Sequence, residues 1–447
     1  MSALSGVMAP SRPMPVPGQG PMPSPFSLPL HALRIAGKCA LPLIAWFSAG
    51  QAVRFALLYL GTEISHGDAR QFRLIATIAV LTLIVMASMT VTAGMLWSVR
   101  GALWEIGARR ASGEEDERYW VSMNRVAPAF AVIYLTWGFH VEDARDFVQT
   151  DFLHNIDDFF SDSFLGRSST VGRGLIDLDW RISLALMVVA FLLRMLFSRM
   201  VERGDGKVSG LATAVSEFAF VFFGLNATFV LANARADWVS HRAAVSTSGQ
   251  LVSQAEQNIP GWEAFWGAVG DVWPYIVDGV LIPLTWLTVA VLVFGTYADD
   301  ARTMLRDTRF EKGIDKLYST HSLTQKSVER ITGGFQERWV PLANSFRQTL
   351  TGGMALFGMM CLCYVSLHVG AEYAMRGVRT LIGSKTEWFW MAIGAPIDFV
   401  KNLIVTVLTM ALLAAAFDIA ATRGRRMAPA PAVPDGRMGI TQGPRTA

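Results

Sequence analysis

Glu217 stands in the run AVSEFAFVFFGLNA with no other charged residue beside it. An ionised carboxylate in hydrocarbon is costly, so an acid in such a run marks either a functional site or a bonded structural pair. Other residues raise the same question. Asp278 lies in YIVDGVLIPLTW, just before a Gly and five residues before Pro283, which free backbone groups of the surrounding helix. His368, Glu372 and Arg376 fall at i, i+4 and i+8, one face of a helix. Asp398 and Lys401, at i and i+3, share a face and can neutralise each other. His140 precedes Asp143 and Arg145 near the end of another apolar segment. Together these residues predict a polar outer vestibule with Glu217 deeper in the bundle, suited to ion binding or proton relay. Arg54, Arg145 and Arg235 are read instead as helix-end partners in ion pairs that fix hairpin packing.

Other chemistry finds less support. His140 and His368 are conceivable axial haem ligands, but the chain lacks the several membrane histidines of a b-type site, so no cofactor is expected. Cys39, Cys361 and Cys363 are odd in number and set in apolar surroundings, which describes neither a disulfide framework nor a metal site. GxSxG, HExxH, GxGxxG before a helix and a complete P-loop are all missing, so an enzyme is not the expected reading. A net charge of +3 gives no reason to expect nucleic acid as a partner.

The elements that must position these residues are apolar helices. The chain is 52% hydrophobic and only 17% charged, with a mean hydropathy of +0.35. Eight apolar segments are legible, at about 40–62, 73–98, 126–143, 181–200, 210–234, 273–297, 350–371 and 393–420. Each approaches the roughly 20 helical residues that span ~30 Å of hydrocarbon. The predicted fold is an all-α integral membrane protein of about eight transmembrane helices. Most of the 39 lysines and arginines fall in the tails and in the second, fourth and sixth connections. That asymmetry puts both termini in the cytoplasm. Trp180, Trp238, Trp262, Trp266, Trp273, Trp388 and Trp390 gather at the opposite boundary, as an interfacial belt does. No cleavable signal is expected at the start, and a bacterial inner membrane is the expected location.

Residues 1–38 are expected to form a Pro-rich disordered cytoplasmic tail, and 424–447 a second one. Between them lie a first membrane half, 39–205, and a second, 209–423. The first carries an outer amphipathic helix at about 151–165, with Asp151, Asp157, Asp158 and Asp162 on its polar side. The second carries a basic cytoplasmic segment, 299–347, through which a second copy or another protein could dock. An alanine one or two residues before an arginine recurs at Arg54, Arg145, Arg235 and Arg376, and His-Val recurs at 140 and 368. The chain therefore also reads as four hairpins, or as two four-helix halves in a parallel repeat.

Two function classes remain, both with the lipid bilayer as a partner. One is a channel or transporter for an ion or small solute, supported by the intramembrane acids and the Gly/Pro break. The other is a non-catalytic membrane component of a secretion, conjugation or envelope assembly, supported by the Pro-rich tails and the basic segment.

Overall fold

Ser24 caps the first described element: its hydroxyl accepts from the Phe26 amide at 3.3 Å, and Pro25 opens a single 3-10 turn, Pro25–Ser27. Pro29 then sits in the first turn of helix α1, Leu28–Lys38. At that position the missing N–H is no loss, and the fixed φ favours the helix. The tail expected over 1–38 is therefore helical from Pro25 onward. Proline was read there as a helix breaker, whereas in the first turn it is a helix starter.

The computed structural model describes residues 23–67, 70–111, 118–136, 139–166, 180–203, 209–240, 262–294, 353–383 and 386–427. The basic segment 299–347 lies outside them. After α1 come α2 (Ala40–Ser65), α3 (Arg70–Val99), α4 (Trp104–Ala111), α5 (Tyr119–Thr136) and α6 (Phe139–His154). They are followed by α7 (Ile156–Phe164), α8 (Trp180–Glu202), α9 (Ser209–Ser240) and α10 (Trp262–Ile276). A π-helical turn, Val277–Leu281, joins α10 to α11 (Ile282–Phe294). The last hairpin is α12 (Met354–Ile382) and α13 (Glu387–Met427), whose final residues, 424–427, fall in the expected C-terminal tail. No strand occurs among the described residues.

Among the described residues six helices are long and apolar enough to cross a membrane. They are Ala40–Ser65, Gln71–Ala102, Arg181–Met200, Trp266–Phe294, Met354–Ile382 and Trp388–Arg426. The protein is thus a multi-pass all-α membrane protein, as expected, while α5 does not meet the same measure. Tyr119, Ser122, Asn124 and Arg125 lower the hydropathy of α5, which also begins and ends earlier than the 126–143 segment expected there.

The core is built from α3, α5, α9, α11 and one end of α13. Leu81, Ile84 and Met89 of α3, Phe130 of α5, Phe218 of α9 and Phe294 of α11 are all essentially inaccessible. Alanines 411, 414, 415, 416, 420 and 421 line the buried part of α13. Lipid offers no hydrophobic drive for helix association, so small residues that permit close packing hold such a bundle. Gly50 and Gly94 show the same device between α2 and α3. A Cβ on Gly94 would sit 2.6 Å from the Trp46 ring, and one on Gly50 would meet Val91 at 2.5 Å. The α2, α8 and α12 helices form the rim, their most apolar windows only 17%, 11% and 17% buried. We call the end where α1 meets the last turns of α13 the inner end, after the charge asymmetry, and the opposite end the outer end.

Candidate functional site

The outer ends of α12 and α13 diverge around a cleft of about 820 Å³. Arg379, Thr380 and Met375 line it from α12, and Asp398, Ile397, Gly394 and Trp390 from α13. Gly383, at φ +79, closes α12 in the left-handed conformation that glycine adopts without strain. The cleft therefore presents a carboxylate, a guanidinium and a hydroxyl among apolar walls. That composition suits a small charged or zwitterionic solute.

Lys401 lies one turn further along α13 and bonds to Glu372 of α12 at 2.9 Å. The neutralisation expected between Lys401 and Asp398 is replaced by this bond across the hairpin. Antiparallel packing brings the facing helix nearer to the ammonium than its own i−3 neighbour, and Asp398 is left to the cleft. His368, two turns before Arg376 on α12, stacks on Tyr364 with ring centroids 4.4 Å apart.

Asp278 belongs to the π-helical turn. Pro283 has no N–H to give to the carbonyl four residues earlier, at Gly279, and a wider turn accommodates the mismatch. The turn packs on α12, where a Cβ on Gly279 would meet Val365 at 3.5 Å. Asp278 and His368 thus sit along the same seam, and Glu372, Lys401 and Asp398 lie beyond it on the last hairpin. His140 is part of α6, after the break that ends α5, whereas His368 lies inside the continuous α12. The side chain of His140 is outside the described set, so the haem pairing has no geometry behind it.

Glu217 is elsewhere. It is buried on α9 and faces α8, with its carboxylate 3.7 Å from Nε of Arg194. The carboxylate thus has a cation within ion-pairing distance inside the bundle, on helices that do not line the cleft. Of the seven residues singled out, the fold brings Glu372, Lys401 and Asp398 to one hairpin, aligns Asp278 and His368 with it, and sets Glu217 apart.

The outer connection also differs from expectation. The single helix expected over 151–165 is split at Asn155, whose side chain folds back on Asp151. Asp151 does not face water: it is fully buried, accepting from Ser65, His66 and Asn155. Phe160 and Phe164 are exposed. Here the pairing of α6 with α2 outweighs the amphipathic pattern. Arg54 of α2 pairs with Asp143 and Asp146 of α6, and His154 reaches Glu63 at 3.1 Å. The structural reading of Arg54 is the one the fold adopts.

A second polar cluster, at the inner end, was not foreseen. Asp418 of α13 is fully buried and bonds to Nε2 of His31 at 2.8 Å. The same carboxylate accepts from the backbone amides of Trp104 at 3.0 Å and Glu105 at 2.8 Å. It caps α4 from another helix, a task that Leu103, with no side-chain oxygen, cannot perform. The His31 ring stacks on Trp104, centroids 3.8 Å apart, and buried Glu105 pairs with Arg109 and Arg425. The signal was present as a lone acid within AAAFDIAA. His31 was missed because it fell in the supposed tail. These bonds tie α1, α4 and α13 together.

Among the described residues no group of His, Cys, Asp and Glu is arranged to hold a metal ion. No protein-family model, curated protein or solved structure matches this chain.

Proposed function

We propose that the chain is a channel or transporter that takes an ion or small charged solute at the cleft between α12 and the outer half of α13. The observation that supports this most is the pairing of Asp398 and Arg379 in one cleft on two helices long enough to cross a membrane. Opposite charges in a water-accessible cavity at a membrane-spanning hairpin are the usual mark of a solute path. Its volume lies within the ~300–1,000 Å³ of small-ligand sites. The nearby π-helical turn at Asp278 adds a helix irregularity of the kind that accompanies such sites.

A second reading, the membrane component of a larger assembly, draws on Glu217. That acid was the best sequence argument for transport, and its partner Arg194 makes it a packing element instead. Purified protein in liposomes separates the two. Solute or ion flux that falls at least tenfold in Asp398→Asn, and persists in Glu217→Gln with a lowered melting temperature, is the transport outcome. A chain silent in liposomes that co-purifies with a fixed set of membrane proteins belongs to an assembly.

A further inference from the structure

The inner end holds a second cavity, of about 620 Å³, between α1, α4 and the last turn of α13. Lys38, Arg425 and Arg426 line it, and no carboxylate does. Glu105, the nearest buried acid, is already engaged by Arg109 and Arg425. Thr422 also lines the cavity. It is only 4% exposed, and its hydroxyl makes no hydrogen bond among the described residues. A buried hydroxyl without a partner is destabilising unless something else bonds to it. The cavity is thus cationic, with an unused donor in its wall.

Its position adds to the case. Lys38 immediately precedes the span that starts at Ala40, and Arg425 and Arg426 end the span that runs to Arg426. These cations therefore lie at the inner ends of two helices long and apolar enough to cross a membrane, where basic residues meet headgroups. Beside the cavity α1 turns an apolar stripe outward: Phe26, Leu30 and Leu33 are more than half exposed, and Leu41 continues it. Residues 26, 30 and 33 follow helical spacing, so the stripe is one face. Water is a poor covering for that face, and acyl chains are a good one.

We propose that this cavity binds the phosphate group of an anionic phospholipid, with Lys38, Arg425 and Arg426 around the phosphate and the Thr422 hydroxyl donating to it. The acyl chains lie along the outward stripe of α1. Basic pockets between membrane helices are known to take such headgroups. The same phosphate chemistry could come from free inorganic phosphate, and the stripe favours the lipid.

The full chain in nanodiscs of neutral phosphatidylcholine, titrated with labelled phosphatidylglycerol, tests the assignment. The expected result is saturable retention of the anionic lipid over the neutral one, undisturbed by excess inorganic phosphate. Lys38→Gln, at an exposed position, weakens retention roughly fivefold. Thr422→Val, nearly isosteric, weakens it as well while leaving the melting temperature of the lipid-free protein unchanged or higher. Wild-type retention in both variants overturns the site. Full displacement by inorganic phosphate overturns the lipid assignment.

Discussion

The inner polar cluster and the outer end of the last hairpin solve the placing of charge in a membrane protein in opposite ways. At the inner end Asp418 and Glu105 are fully buried, and each is fixed by several partners from different helices. At the outer end Glu372 is largely exposed, Lys401 is half-buried, and Asp398 faces a cleft. A buried charge whose partner is removed becomes a large liability, while an exposed one is rescued by water. The inner cluster therefore holds the fold and tolerates little change. The outer hairpin contributes little to stability, which leaves its charges available for a solute.

Substitutions at the two ends should accordingly differ in kind. Asp418→Ala removes the hydrogen-bond partner of His31 and both capping bonds in a fully buried site. We expect a loss of about 3–5 kcal/mol, seen as a drop in melting temperature in mild detergent, with release of α1 detected by faster proteolysis near Lys38. A change close to zero would remove the contrast between the ends.

Packing without charge gives the intermediate case. Gly94→Leu forces a side chain into the Trp46 ring and separates α2 from α3. The expected loss is about 1–3 kcal/mol by the same thermal measurement.

The smallest effect on stability is expected at Lys401→Gln, which breaks the pair with Glu372 on an exposed flank. Stability should change by less than about 1 kcal/mol, while flux in liposomes changes. A Lys401→Gln protein as unstable as Asp418→Ala would show that the outer hairpin is a structural clamp like the inner one.

Several of these features were legible before any coordinates. An apolar run of about 20 residues can satisfy its backbone in lipid only as a helix, so the all-α membrane fold followed from composition and segment length. Asp278, Glu372, Asp398 and Lys401 were singled out because charge is rare in such runs, and the same rule applied to AAAFDIAA would have found Asp418. Hydropathy could not mark His31, because the neighbouring prolines resemble those of a disordered tail until Ser24 is seen to cap the turn. It could not mark the burial of Asp151 either. An amphipathic pattern names a polar face without saying that another helix will supply Ser65 and His66 to cover it.

What the sequence by itself determined is the class of molecule and the few positions where charge enters apolar surroundings. Those follow from transfer free energies that depend only on residue type and run length. Which charges meet was decided by tertiary structure alone. Lys401 has Asp398 on its own helix and Glu372 across the hairpin, and the choice rests on the packing of α12 against α13. Glu217 finds Arg194, and Asp418 finds His31 across almost the whole chain. Partner choice depends on distances of a few ångströms between helices, and residue spacing along one helix carries no information about them.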